Sequence, residues 1–195
     1  MITNIYRKFI YLLFLPILIL IRTISKFFLI RFGELVSDRI GHFACCIELY
    51  LCEKEHNINV PKKKFLDLFI MGKDISNKQV EVFFRRKLIV LPRFILGPLI
   101  NLNRIVPGGK VHDFYYRKNL VETKNFIEHR DTNNLLDISN NHFEFTKKEK
   151  HEAIKICNQI GIDLNKKIVI INLRDSYYFD KYHSNRNFKY FDVKN

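Results

Sequence analysis

Lys64–Val90 reads KFLDLFIMGKDISNKQVEVFFRRKLIV, and this stretch decides the fold. Lys64–Met71 has the apolar content and length of a strand, and Gly72 ends it. Ser76 and Gln79 then form the S-x-x-Q pattern of a capping box, which predicts a helix running until Pro92. A matching pair lies upstream. Phe28–Leu35 (FLIRFGEL) reads as the first strand, Val36–His42 (VSDRIGH) as a polar loop, and Phe43–Glu55 (FACCIELYLCEKE) as a helix with Phe43, Ile47, Tyr50 and Leu51 near one face. The order β-α-β-α argues for an α/β fold, a Rossmann-like parallel sheet with helical crossovers.

Beyond Pro92 the pattern loosens. RFILGPLINLNRIVPGGK is apolar but broken by Gly97, Pro98, Pro107, Gly108 and Gly109, and reads as a short helix and a turn. From Val111 to Asn141 the chain is polar and irregular, as a linker or a set of ligand-facing loops would be. Order returns at Phe145. Thr146 and Glu149 make a capping box, Ala153, Ile154, Cys157 and Ile160 form a stripe, and Gly161 is a natural stop. Lys166–Leu173 (KKIVIINL) then reads as a buried strand, because its apolar run is nearly continuous.

The chain opens differently. Phe9–Ile21 (FIYLLFLPILILI) is thirteen apolar residues long, with Arg7 and Lys8 before it and Arg22 and Lys26 after it. A helix of that length reaches roughly 20 Å, short of a hydrocarbon core of about 30 Å. Pro16 would kink it. No small-residue cleavage site follows in RTISKFF, so a secretory signal does not fit. A monotopic helix lying on a membrane fits best, its basic flanks meeting anionic lipid. The alternative is a greasy helix packed on the protein itself.

Composition sets wider bounds. The 195 residues suit one large domain or two small ones, and 47% apolar content supports a real core. The net charge of +13 suits nucleic acid, an anionic membrane surface or an anionic substrate. The abundance of Lys, Asn, Ile, Phe and Tyr, all with A/T-rich codons, accounts for part of that charge. Basic runs such as Arg85–Lys87 lack the interleaved aromatics of single-strand binders, and no nucleic-acid motif occurs, which argues against nucleic acid. Walker, GxGxxG, GxSxG, HExxH and Asp-x-Asp patterns are absent. Cys45, Cys46, Cys52 and Cys157 form no CxxC pair, and no histidine is grouped with them at metal spacing. They read as small buried thiols in a reducing cytosol, a reading favoured over zinc or disulfides.

Two loops could carry chemistry, both at predicted carboxyl ends of strands, where open α/β sheets bind ligands. In Ser37–Phe43 (SDRIGHF), Arg39 adds charge, Gly41 permits close backbone approach and His42 could move a proton, ahead of a helix whose first N–H groups suit an anion. In Val169–Asn187, Arg174 could pair bidentately with phosphate, and Asp175 could orient it or act as a base. His183, Arg186 and Asn187 follow. Two arginines and a histidine suit a diphosphate leaving group. Plain alternatives are a tight turn for the first and a surface ion pair for the second.

SDRIGHF followed by ELYL, RDTNNLL at Arg130–Leu136, FEFTKKEKHEA before a helix ending in IGI, and IVIINLRDSYY with HSNRNFKY occur in an order that resembles a bacterial family of glycosyltransferases from surface-carbohydrate gene clusters. The resemblance implies the first half of a two-domain GT-B-like fold: an apolar helix over 1–26, a Rossmann-like domain over 27–141 and the start of a second, incomplete one over 142–195. It implies transfer of a sugar from a nucleotide sugar to a glycan or lipid-linked acceptor, with no further cofactor, at the cytoplasmic face of the inner membrane. His42, Asp175 and His183 become the catalytic candidates, and Arg39, Gly41, Arg174, Ser176, Arg186 and Asn187 the substrate-binding ones. On this reading the chain is the front part of a longer enzyme, weakly active or inactive without a second polypeptide completing the fold. The competing expectation is a non-catalytic, membrane-associated basic remnant or interaction protein.

Overall fold

The computed structural model describes residues 2–114 and 131–169, with side chains from Phe9 onward in the first helix. Leu29–Leu35 forms β1 and Phe65–Met71 forms β2, paired in parallel from Leu29 opposite Phe65 to Leu35 opposite Met71. Ile89–Val90 forms a short β3 beside β2, giving an open parallel sheet in the order β1-β2-β3. A parallel bridge from Phe32 to Asp113 adds one contact on the far side of β1. The fold is therefore mixed α/β, consistent with a Rossmann-like sheet.

Helices cover both faces. The first crossover is a π-helical turn, His42–Cys46, running into α2, Ile47–Glu55. The second is α3, Lys78–Lys87. The expected stripe of Phe43, Ile47, Tyr50 and Leu51 is buried, packing with Leu35, Phe69, Met71 and Phe84. The opposite face is closed by α1, Ile2–Ile24, and α4, Arg93–Ile105. There Leu18 and Ile21 meet Phe32, Ile70, Leu96 and Leu99. Alternation along β2 produces this split, because successive side chains point to opposite faces: Phe69 and Met71 to one, Ile70 to the other.

Four expectations are corrected. The cap of α3 is Asn77, not Ser76: its side chain accepts from the N–H groups of Gln79 and Val80, at 2.9 and 3.1 Å. Ser76 instead donates its backbone N–H to Ser37. The helix stops at Lys87 rather than near Pro92, because Leu88 is extended and the next two residues pair with β2. The broken apolar stretch after Pro92 is a full helix of 13 residues that holds Pro98 inside it. Arg22, expected to face lipid, caps α4. Its guanidinium donates to the carbonyls of Asn103, Val106 and Pro107 and to Asn103 Oδ1, at 2.6–3.2 Å. A cation is favoured at that end of a helix, where carbonyls lack partners.

α4 leads into a 3-10 turn, Gly109–His112, whose last residue is 1% exposed. His112 Nδ1 lies 2.6 Å from the Ile30 carbonyl and so carries the hydrogen. Burial holds the His112 pKa below the usual imidazole value despite that carbonyl, with Arg22 and Lys63 adding to the effect. The folded pKa is depressed, so as pH falls the unfolded chain takes the proton first. Stability is full above about pH 6.5 and declines below it, by at most about 1.4 kcal/mol per pH unit, until the lowered folded value is reached. His112→Gln is expected to remove that component from melts compared at about pH 7.5 and 5.5; an unchanged profile would count against it.

The chain divides into two compact units, Met1–Glu144 and Phe145–Asn195. The first also holds a short α5, Leu135–Ile138. In the second, α6 spans Lys147–Gln159 with the expected capping box, Thr146 with Glu149, and Gly161 adopts φ +76° after it. No residue of α6 is buried, so its predicted stripe stays largely open to solvent. Lys166–Val169 forms no strand, and the remainder of that expected strand lies outside the described residues.

Candidate functional site at the carboxyl edge of the sheet

Three connections leave the carboxyl ends of the strands, and the first is built on the second. Ser37 is buried, and its hydroxyl donates to the Asp74 carbonyl at 2.6 Å. Ser76 N–H donates to the Ser37 carbonyl at 2.8 Å. Gly72 lets the two loops touch: a Cβ there would lie 2.6 Å from Ser37 Oγ and 3.0 Å from the Leu35 carbonyl. A loop anchored in this way holds the residues just after it in a fixed place.

Those residues are the ones singled out in SDRIGHF. Asp38 is exposed, and Arg39 is partly exposed with Nε 3.6 Å from Asp38 Oδ2. The helix starts at once, Phe43 N–H donating to the Arg39 carbonyl at 2.8 Å. Gly41 is exposed in ordinary helical conformation, φ −63° and ψ −50°, and a Cβ there would meet nothing within 4 Å. Neither backbone nor packing requires glycine, which leaves room for a ligand close to the chain. His42 opens the π-helical turn, its Nδ1 3.6 Å from Cys46 Sγ. Such turns recur at functional positions in helices. The arrangement puts a guanidinium, with the Asp38 carboxylate beside it, three residues before an imidazole at a helix start, a set of groups that can hold an anion and move a proton.

Arg93 completes the edge, and sequence reasoning missed it. Its guanidinium donates to Glu34 Oε1 at 2.5 Å and to the Met71 carbonyl at 2.6 Å, tying the start of α4 to the ends of β1 and β2. The available signal was its place just after a strand and a proline, in IVLPR. Next to it, a cleft of about 1040 Å³ runs along α1 and α4, lined by Tyr11, Phe14, Ile70, Phe94, Arg93 and Arg104 among others. Its walls are mainly apolar, and both arginines at its rim have carboxylate partners, Arg93 with Glu34 and Arg104 with Asp113, so the cleft suits an apolar chain.

The expected loop over Val36–His42 is therefore shorter than read: it ends at Arg39, and Gly41 and His42 stand in the first turn of the helix that follows. Arg174, Asp175, Ser176, His183, Arg186 and Asn187 lie outside the described residues. None of the four cysteines is in a disulfide, and only Cys52 is buried, Cys45 being exposed. Two meet histidines, against the reading from spacing: Cys46 lies beside His42, and Cys52 and His142 come together with Glu48. Among the described residues no helix is long and apolar enough to cross a membrane. No protein-family profile, curated protein or solved structure matches the chain.

Proposed function

We propose that the chain is of glycosyltransferase lineage, handling a nucleotide sugar and a glycan or lipid-linked acceptor at the cytoplasmic face of a membrane. One observation carries this reading: the anchored first loop sets Arg39 and His42 at a helix start on the carboxyl edge of a parallel sheet. In this role Arg39 and the first N–H groups of the helix hold an anionic group, and His42 takes the proton from an acceptor hydroxyl. Arg174 and Arg186 would neutralise the departing diphosphate, with Asp175 orienting Arg174 and His183, Ser176 and Asn187 completing the substrate contacts. The cleft beside Arg93 fits the lipid part of an acceptor. Calorimetry against UDP-, GDP- and CMP-sugars tests it. One donor should bind with micromolar Kd, and Arg39→Ala should weaken it at least about tenfold without moving the melt, since a charged hydrogen bond contributes about 1.5–3 kcal/mol. A folded chain that binds none of them would mean that the donor half is absent from it, and would remove Arg39 from any donor contact.

Membrane association rests on α1. Leu18 and Ile21 face the core, while Phe9 and Leu12 are each 67% exposed and Leu13 65%, with Phe94 of α4 77% exposed. A helix with apolar groups on both sides suits a protein core on one and lipid on the other. Sedimentation with phosphatidylglycerol vesicles should show binding that Leu12→Glu/Leu13→Glu lowers at least about tenfold at unchanged stability. Equal binding by that variant would remove α1 from the contact. Vesicle binding without any donor binding would favour the second reading, a non-catalytic membrane-associated protein.

A further inference from the structure

Glu48, Cys52 and Glu55 lie on one stripe of α2, at spacings of four and three residues. The chain returns after α5 and lays His142 across this stripe. Glu48 Oε1 accepts the His142 backbone N–H at 2.8 Å and lies 3.1 Å from Nδ1 of the same residue. The other ring nitrogen, Nε2, is 3.6 Å from Glu55 Oε2. One ligand atom from each of Glu48, Cys52 and His142 falls within 4.8 Å of the others.

An ion pair between His142 and the glutamates explains part of this arrangement but leaves two features over. Glu48 Oε2 is buried with no hydrogen-bond partner. A buried carboxylate oxygen without a partner is costly, and a cation would satisfy it. The ion pair also has no use for a thiol, yet Cys52 is 1% exposed and in range of both partners.

We propose that Glu48, Cys52 and His142 bind one zinc ion, through Oε2, Sγ and Nδ1. A mixed oxygen, nitrogen and sulfur set selects a borderline metal over magnesium or calcium, which take oxygen alone. Zinc bonds of about 2.0–2.3 Å in tetrahedral geometry hold ligand atoms roughly 3.3–3.8 Å apart, so the cluster needs to contract by about 1 Å. Glu55 beside Nε2 supplies the carboxylate that commonly orients a metal-bound imidazole. Water fills the fourth position. The bound ion staples the segment around His142 to α2, beside the small apolar cluster of Leu49, Cys52 and Leu135. This is independent of the sugar-transfer reading.

The test uses the full chain, untagged and stripped with chelator, titrated with zinc and separately with cobalt(II) in excess magnesium. Expected are one zinc per chain with Kd of about 1 μM or tighter, a thiolate-to-cobalt charge-transfer band, and a melt raised by several degrees. Cys52→Ser should abolish the band and weaken zinc about 100-fold. Glu48→Gln and His142→Gln should each weaken it at least about tenfold. Cys157→Ser and Cys45→Ser should change nothing. No stoichiometric uptake by the wild type would overturn the assignment and leave only an ion pair. So would a cobalt band that survives in Cys52→Ser, or unchanged zinc affinity in His142→Gln, which serves as the decisive variant if Cys52→Ser does not fold.

Discussion

Asp67→Ala is expected to destabilise the first unit by about 3–5 kcal/mol in urea denaturation. Arg31 and Asp67 sit opposite each other in the β1–β2 register, on strands otherwise almost wholly apolar. Both are buried, at 3% and 6% exposure, and they form two parallel hydrogen bonds of 2.6 and 2.7 Å. Tyr50 donates its hydroxyl to Asp67 Oδ2 at 2.6 Å. The rings of Phe65 and Phe114 lie 5.1 and 5.0 Å from the guanidinium. Burial and the Asp67 carboxylate push the Tyr50 phenol far above its usual pKa, so it remains a donor throughout the working range. Removing Asp67 strands a guanidinium that cannot shed its proton. The pair itself adds little over an apolar replacement, so Arg31→Met/Tyr50→Phe/Asp67→Leu should return most of the lost stability. A cost under about 1 kcal/mol for Asp67→Ala would mean that water reaches Arg31.

Gly109→Ala is expected to cost about 2–3 kcal/mol, the upper end for an overpacked site. A Cβ at Gly109 would fall 1.9 Å from the Asn103 carbonyl and 2.9 Å from Arg22 Nη2. Neither neighbour can retreat freely, since the carbonyl belongs to the last turn of α4 and Arg22 is bonded to it. The 3-10 turn must lift, and the bonds from Asn103 Nδ2 to the Gly109 carbonyl and between His112 and Ile30 lengthen with it. The thermal melt should fall accordingly. A melt within a degree of wild type would show that the turn has slack.

The sheet was legible where burial left an unambiguous pattern. FLIRFGEL and KFLDLFIM are long apolar runs, and both are strands within one residue of the reading. β3 was not legible, because two residues after a basic helix carry no period of their own; their pairing with Leu68 and Phe69 makes them a strand. The cap of α3 was misplaced by one residue because Ser76 and Asn77 are both good caps. A contact 39 residues away, Ser76 to Ser37, decides between them. Phe9–Ile21 read as one uniform apolar run, yet tertiary packing buries Leu18 and Ile21 and leaves Leu12 and Leu13 outside.

At the candidate site, the neighbourhood of Arg39, Gly41 and His42 was legible because the three lie within four residues of one another. Arg93 with Glu34, and His142 with Glu48 and Cys52, could not, because the partners are far apart in the chain and only the fold brings them together.

Amide hydrogen exchange on the full chain, with and without the nucleotide sugar it binds, tests the placement of the site most directly. Added protection is predicted at 36–43 and 72–77, the two loops that Ser37 joins at the carboxyl edge. Binding without protection in either loop would contradict that placement and remove Arg39 and His42 from the proposed chemistry.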